Sequence, residues 1–264
     1  MKTNYHTHTQ RCLHAQGTEE DYIRAALDAG LSILGFTDHA PFPNHDFGMR
    51  MPYSELEAYF SAVDRLATQY SSDIIIRKSL EIEYLPQYED YYSFLLQTYK
   101  PDYLLLGEHF YFNKKGDVFN IYNAESTTDY IHYANSIAAA LKTGLFRMVA
   151  HPDLFTVNHL AWDKNCDAAS EIILAAALET GTVLEFNANG YRRGIHDYPD
   201  GKRYMYPHMN FWKKAAAAGV TTIIGADAHE PYQVWDACMD KAIDVLRDLG
   251  ITPIWTFEEA LKSF

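Results

Sequence analysis

The chain has 264 residues, 48% of them hydrophobic and 22% charged, with a formal net charge of −13 at pH 7. That length can bury a sizeable core, the composition excludes an intrinsically disordered chain, and the acidity argues against a nucleic-acid-binding surface, which needs clustered Lys and Arg. The N-terminus turns polar at once, no apolar run reaches the roughly 18 residues of a membrane span, and Cys12, Cys166 and Cys238 are far apart, so a soluble cytoplasmic protein with reduced thiols is expected.

In chain order, Lys2–His6 reads as the first strand. Thr18 with Asp21 resembles a capping box, opening a helix over Glu19–Ala29 that stops at Gly30. Ser32–Thr37 is the second strand. Ser54 with Glu57 suggests a second capping box and a helix running to about Tyr70. A β-branched run over Ile74–Ile82 follows, then a helix over Tyr88–Tyr99 that stops before Pro101, and a buried strand at Tyr103–Leu106. Thr128–Leu141 is helical, with Gly144 as its stop. Strand Phe146–Ala150, helix Ala168–Thr180, strand Thr182–Phe186, helix His208–Ala218 and strand Thr221–Ala226 continue the alternation. Helices near Val234–Leu249 and Phe257–Leu261 finish the chain.

Strands alternating with helical crossovers predict a parallel α/β fold. The first strand is followed by no Gly-rich dinucleotide fingerprint and the chain has no P-loop, which disfavours a nucleotide-binding doubly wound sheet. Irregular stretches at Ala40–Pro52, Phe110–Thr127 and Asn187–Pro207 mostly follow strands, where a (β/α) barrel builds its active site. One barrel domain over residues 1–264 is the expected architecture.

His6, His8, His14, His39, His109, His151 and His229 nearly all lie at, or just past, the C-terminal end of one of these runs. Metal is the usual reason to gather neutral imidazoles and carboxylates at one mouth. His6-Thr7-His8 has a two-residue spacing that puts both imidazoles on one strand face. That pattern is common by chance, but Asp227-Ala228-His229 repeats it after the last strand and Thr37-Asp38-His39 ends the second.

Together with Leu80-Glu81-Ile82, His109 and His151-Pro152, these segments resemble the polymerase-and-histidinol-phosphatase (PHP) superfamily along the whole chain. Asp38-His39-Ala40-Pro41-Phe42 and Glu81-Ile82-Glu83-Tyr84 are similar to its histidinol-phosphatase branch. The resemblance implies a distorted TIM-like barrel of seven βα units holding three divalent ions. It assigns His6, His8, Glu81 and Asp227 to the first ion, Glu81, His109 and His151 to the second with Glu81 bridging, and His14, His39 and His229 to the third. The mixed imidazole and carboxylate set suits zinc, manganese or iron better than magnesium.

Glu83 shares a strand face with Glu81, so spacing alone does not say which carboxylate bridges. The family pattern favours Glu81 and leaves Glu83 to support a ligand, to meet a cationic substrate or to form a structural salt bridge. Asp38 is expected to orient His39 or a loop. Cys12 matches no family position and reads as a small buried thiol. Arg192, in Asn189-Gly190-Tyr191-Arg192-Arg193-Gly194, matches an arginine of the family's phosphate-binding loop, with Arg193 as a second substrate-binding candidate and Gly190 allowing a sharp turn.

The activity implied is phosphomonoester hydrolysis, with a metal-bridging hydroxide attacking phosphorus and histidinol phosphate as the substrate. Phosphotyrosine or another small phosphate ester is the alternative within the superfamily, and a non-catalytic metal-binding module the alternative outside it. A small phosphate ester is the expected partner, with no nucleic acid and no membrane. The sequence names no general acid for the leaving group.

Overall fold

Hydrophobic runs and capping signals place the secondary structure of the computed structural model, which describes residues 1–113 and 115–260. In chain order the principal elements are β1 (Thr3–Asn4), α1 (Glu19–Asp28), β2 (Ile33–Phe36), α2 (Leu56–Gln69), β3 (Ile75–Lys78), β4 (Glu81–Ile82), α3 (Glu89–Thr98) and β5 (Leu105–Leu106). They continue with β6 (Phe110–Phe112), β7 (Val118–Asn120), α4 (Thr128–Lys142), β8 (Met148–Val149), α5 (Lys164–Thr180), β9 (Val183–Asn187) and α6 (Asn189–Arg192). The last are β10 (Ile195–Tyr198), β11 (Gly201–Tyr204), α7 (Met209–Ala218), β12 (Thr222–Gly225), α8 (Ala237–Asp248) and α9 (Phe257–Ala260). Leu261, read as the end of the terminal helix, lies outside the described residues.

The fold divides into two units interleaved along the chain. The first comprises residues 1–82, 86–105 and 225–240. In it β1 pairs in parallel with β2, and β2 with β3. Isolated parallel bridges, Thr7↔Ala228 and His39↔Glu81, prolong the pairing past the strand ends. Thr18 and Asp21 form the expected capping box at α1. The one expected at Ser54 and Glu57 is absent: Tyr53–Glu55 is already a 3-10 turn, and α2 starts without a side-chain cap. Gly35 in β2 is required by close approach, since a Cβ there would lie 2.2 Å from the Tyr103 hydroxyl, which donates to Tyr5 O at 2.5 Å.

The second unit comprises residues 83–85 with the described residues of 106–224 and 241–264. β8 pairs in parallel with β9. The amides of Ala150 and Leu184 donate to Leu106 O and Thr221 O, each at 2.9 Å, which sets four strand segments side by side. Two stretches read as irregular contain antiparallel hairpins, β6–β7 and β10–β11. Their cues were short. Asn113 Oδ1 accepts from the amides of Lys115 and Asp117 beside Gly116 at φ 82°, and Gly201 turns at φ 120°. Glycine adopts such positive angles without a Cβ clash.

Asp153, fully buried, joins the loop after β8 to α7 by accepting from the His208 amide at 2.6 Å and Trp212 Nε1 at 3.1 Å. Burial, with the nearby Glu185 charge adding to it, pushes the carboxyl up to about 7. The folded protein therefore favours the protonated acid. No penalty exists below the ordinary carboxyl range, and it grows as pH rises through about 7. At roughly 1.4 kcal/mol per pH unit, Asp153→Asn should gain thermal stability relative to wild type as pH rises from about 4 to about 7, with the gain constant above that, as read by calorimetry. Parallel pH profiles would exclude this.

Candidate metal centre

Strand register delivers the candidate ligand atoms of the first unit. The His8 amide donates to Ala228 O at 2.9 Å and the Ala228 amide to His6 O at 3.3 Å, so segments 6–8 and 227–229 run side by side. Asn4 fastens both, its Oδ1 accepting from the amides of His6 and Ala226 and its Nδ2 donating to Thr7 Oγ1. Asp227 sits at φ 46°, a left-handed conformation that costs a non-glycine residue about 1–3 kcal/mol and is held by its surroundings.

Four atoms then converge. His6 Nε2 lies 3.0 Å from His8 Nε2, 3.4 Å from Glu81 Oε2 and 3.5 Å from Asp227 Oδ1. His8 Nε2 lies 3.2 Å from each of those oxygens, and His39 Nδ1 is 3.1 Å from Glu81 Oε2. Ligands about 2.1 Å from one transition-metal ion are about 3.0–3.4 Å apart at angles between square and tetrahedral. His6, His8 and Glu81, whose ligand atoms all lie within 4.8 Å of one another, have the spacing of a coordination shell, with Asp227 Oδ1 against both imidazoles.

His14 and His229 add a second argument for a cation. Each Nδ1 faces a backbone carbonyl, Cys12 O at 2.7 Å and Asp227 O at 3.0 Å, and so must donate to it. That leaves a lone pair on each Nε2. These two Nε2 atoms face each other at 3.0 Å. Both rings are held neutral: burial and the neighbouring His8 bring His229 down to about 3, and burial lowers His14. Opposed lone pairs repel unless a cation lies between them. The His39 ring stacks on His14, with centroids 5.3 Å apart, while the ligand atoms of His39 and His229 cluster with that of His8, all within 4.8 Å of one another.

Charge within the cluster is balanced internally. Burial opposes protonation of His8, but hydrogen bonds to Asp227 and Glu81 outweigh it and raise the ring to about 9. Burial would raise Asp227, but the His6 charge and the His8 hydrogen bond bring it well below the usual carboxylate range. Asp38 orients a loop: its Oδ1 accepts from the Thr9 amide at 2.7 Å and from Cys12 Sγ at 2.8 Å. Cys12 is the buried thiol expected, pushed up by burial and by Asp38, and its sulfur accepts from the His39 amide at 3.1 Å.

The second unit carries His109 and His151, with ring centroids 5.0 Å apart. Glu83 is 1% exposed and its Oε1 accepts from His109 Nδ1 at 3.2 Å, so the geometry favours support of a ligand over contact with a substrate. Arg192, at the end of α6, is half-buried. Arg193 is exposed, lies 5.6 Å above the Tyr206 ring, and lines a cleft of about 570 Å³ with Tyr122, Glu125, Asn158 and His159. Tyr206 in turn lies 6.1 Å from the His151 ring, and Tyr122 stacks on His109 at 6.5 Å. Gly190 does not make the sharp turn expected of it. It lies in α6, and a Cβ would come 1.9 Å from Tyr206 O, so its role is close approach.

Asn4 and Glu185 escape a reading of motifs. Their signals were position alone: Asn4 two residues before His6 in the run read as the first strand, and Glu185 an acid inside an apolar strand. Among the described residues, no helix is long and apolar enough to cross a membrane.

The arrangement is that of a metalloprotein built on parallel α/β strand ends. The PHP domain family model matches residues 4–189, and the chain belongs to that family, in its histidinol-phosphatase branch. A probable histidinol-phosphatase of Deinococcus radiodurans is 30% identical over 251 residues, covering 93% of this chain and 92% of that protein. The histidinol-phosphatase of Bacillus subtilis is 25% identical, covering 87% and 94%. The crystal structure of histidinol phosphate phosphatase from Lactococcus lactis, complexed with zinc, L-histidinol and phosphate, superposes with a TM-score of 0.71 at 17% identity, covering 96% and 95%. The chain therefore shares that fold, the TIM-like α/β class the sequence led us to expect.

Since the Asp227 and Glu81 carboxylates outweigh burial and push His8 up to about 9, an ion entering the cluster below that pH must displace its proton. Apparent zinc affinity of the stripped protein should rise about tenfold per pH unit between 7 and 9 and then level off, with proton release measurable by calorimetry in buffers of different ionisation heat. A pH-independent affinity would contradict the assignment.

Proposed function

We propose that this chain is a metal-dependent phosphoric monoester hydrolase acting on L-histidinol phosphate, working as one catalytic domain over residues 1–264 in the cytoplasm. The observation that carries the reading is the pair of neutral imidazoles, His14 and His229, facing each other at 3.0 Å beside the His6, His8, Glu81 and Asp227 group. The family pattern assigns three divalent ions to these residues with His39, His109 and His151, Glu81 serving two of them. The donor set suits zinc, manganese or iron, and the zinc of the Lactococcus lactis protein supports the first.

Bound divalent cations lower the pKa of water and neutralise charge on phosphoryl oxygens. The chain's residues supply the rest. Nδ1 donation by His14 and His229 to carbonyls fixes the tautomer that leaves a lone pair on Nε2 to coordinate, and Glu83 accepts from His109 Nδ1. Arg192 holds phosphate oxygens through its planar guanidinium. Arg193, with Tyr122 and Glu125 in the cleft, receives the cationic, imidazole-bearing leaving group by charge and by stacking.

Metal-loaded protein should turn over L-histidinol phosphate with a kcat/KM about 100-fold above that for a phosphotyrosyl peptide, the scale of discrimination a shaped pocket supplies. Single-stranded oligonucleotide should not be cleaved. His151→Ala and Asp227→Ala should each lose bound metal and lower kcat about 10³-fold, as losing a transition-state-stabilising group does. A preference for the peptide would reassign the substrate. Full metal binding without turnover of any ester would make the chain a binding module.

A further inference from the structure

The strand that carries His151 ends in an unusual way. β8 and β9 pair through Met148↔Val183 and Val149↔Leu184, and continued pairing would give later amides backbone acceptors. The chain turns instead at His151, whose φ of 32° lies in the left-handed region. Its amide donates to a side chain, Glu185 Oε2, at 3.0 Å. The same oxygen accepts from Asn187 Nδ2 at 2.8 Å. Glu185 and Asn187 are fully buried and two residues apart on β9, which puts them on one face. Asn187 Oδ1 then accepts from the amide of Asn189, the first residue of α6, at 2.9 Å.

A buried carboxylate and a buried amide thus connect the strained backbone of His151 to the helix that ends at Arg192. A carboxyl is costly at such depth unless its hydrogen bonds serve a purpose no apolar residue can. A strained backbone conformation persists only where its surroundings over-determine it.

We propose that Glu185 is a positioning residue for the metal centre. Through the His151 amide it holds the left-handed turn that presents the imidazole, and through Asn187 it keeps α6 in fixed relation to that turn. This rests on the reading of His151 as a metal ligand.

The test compares wild type with Glu185→Ala, Glu185→Gln, Asn187→Ala, His151→Ala and Ile173→Ala, the last a buried residue of α5 that serves as a destabilised control. Each is stripped, reloaded with zinc, and titrated against a chromophoric chelator, with the thermal midpoint measured alongside. Glu185→Ala should weaken one zinc site about 10–100-fold, the effect of losing a ligand's supporting partner, and His151→Ala should weaken the same site. Glu185→Gln, which keeps an acceptor oxygen, should restore most of the affinity. Ile173→Ala should melt earlier yet bind zinc as wild type does. Asn187→Ala should bind zinc normally but show a raised KM for the phosphate ester, and it serves as the test if Glu185→Ala does not fold. Wild-type zinc affinity in Glu185→Ala, an equal loss in Ile173→Ala, or a wild-type KM in Asn187→Ala overturns the proposal. If His151→Ala loses a site and Glu185→Ala does not, only the positioning role fails. If neither does, the ligand reading of His151 fails with it.

Discussion

Two neutral imidazoles with lone pairs facing each other at 3.0 Å constitute an arrangement a protein interior does not keep without a reason. Hydrogen bonds to the carbonyls of Cys12 and Asp227 fix each Nδ1 as a donor and leave each Nε2 with a lone pair. Burial prevents the alternative of protonating His229, whose pKa is held near 3. Around this pair, the Glu81 and Asp227 carboxylates hold a proton on His8, positive charge that an incoming cation would have to replace.

The scaffold follows from that requirement. Candidate ligands from distant parts of the sequence converge because parallel register brings segments 6–8 and 227–229 together and bridges His39 to Glu81. Aiming them takes local strain, visible as the positive φ of His151 and Asp227. The stabilising contacts are buried polar groups: Asn4 on segments 6–8 and 226, Asp38 on the loop from Thr9 to Cys12, and Asp153 on the start of α7. Such groups are costly to bury, and these make the hydrogen bonds that hold the turns in place.

Much of this was legible in the sequence. Apolar periodicity marks the principal helices and parallel strands to within a few residues, because burial of one face dictates it. The histidines at strand ends were visible as a constellation, and seven of the nine expected ligands lie in the first unit, where the distances bring them together. Less legible were features set by tertiary contact. The hairpins β6–β7 and β10–β11 depend on single turn residues, and Ser54 lost its capping role to a 3-10 turn. The role of Gly190 could not be read from its loop, because what excludes a side chain there is the carbonyl of Tyr206, sixteen residues away. Asn4 and Glu185 act on backbone amides, which no residue pattern records.

Whether these imidazoles and carboxylates form a coordination shell is tested most directly by anomalous diffraction from crystals of the zinc-loaded protein at the zinc edge. The expected result is an ion about 2.0–2.2 Å from His6 Nε2, His8 Nε2, Glu81 Oε2 and Asp227 Oδ1, and a second about 2.0–2.1 Å from the Nε2 atoms of His14 and His229. Absence of anomalous density at both positions, with the side chains still in place, would contradict it.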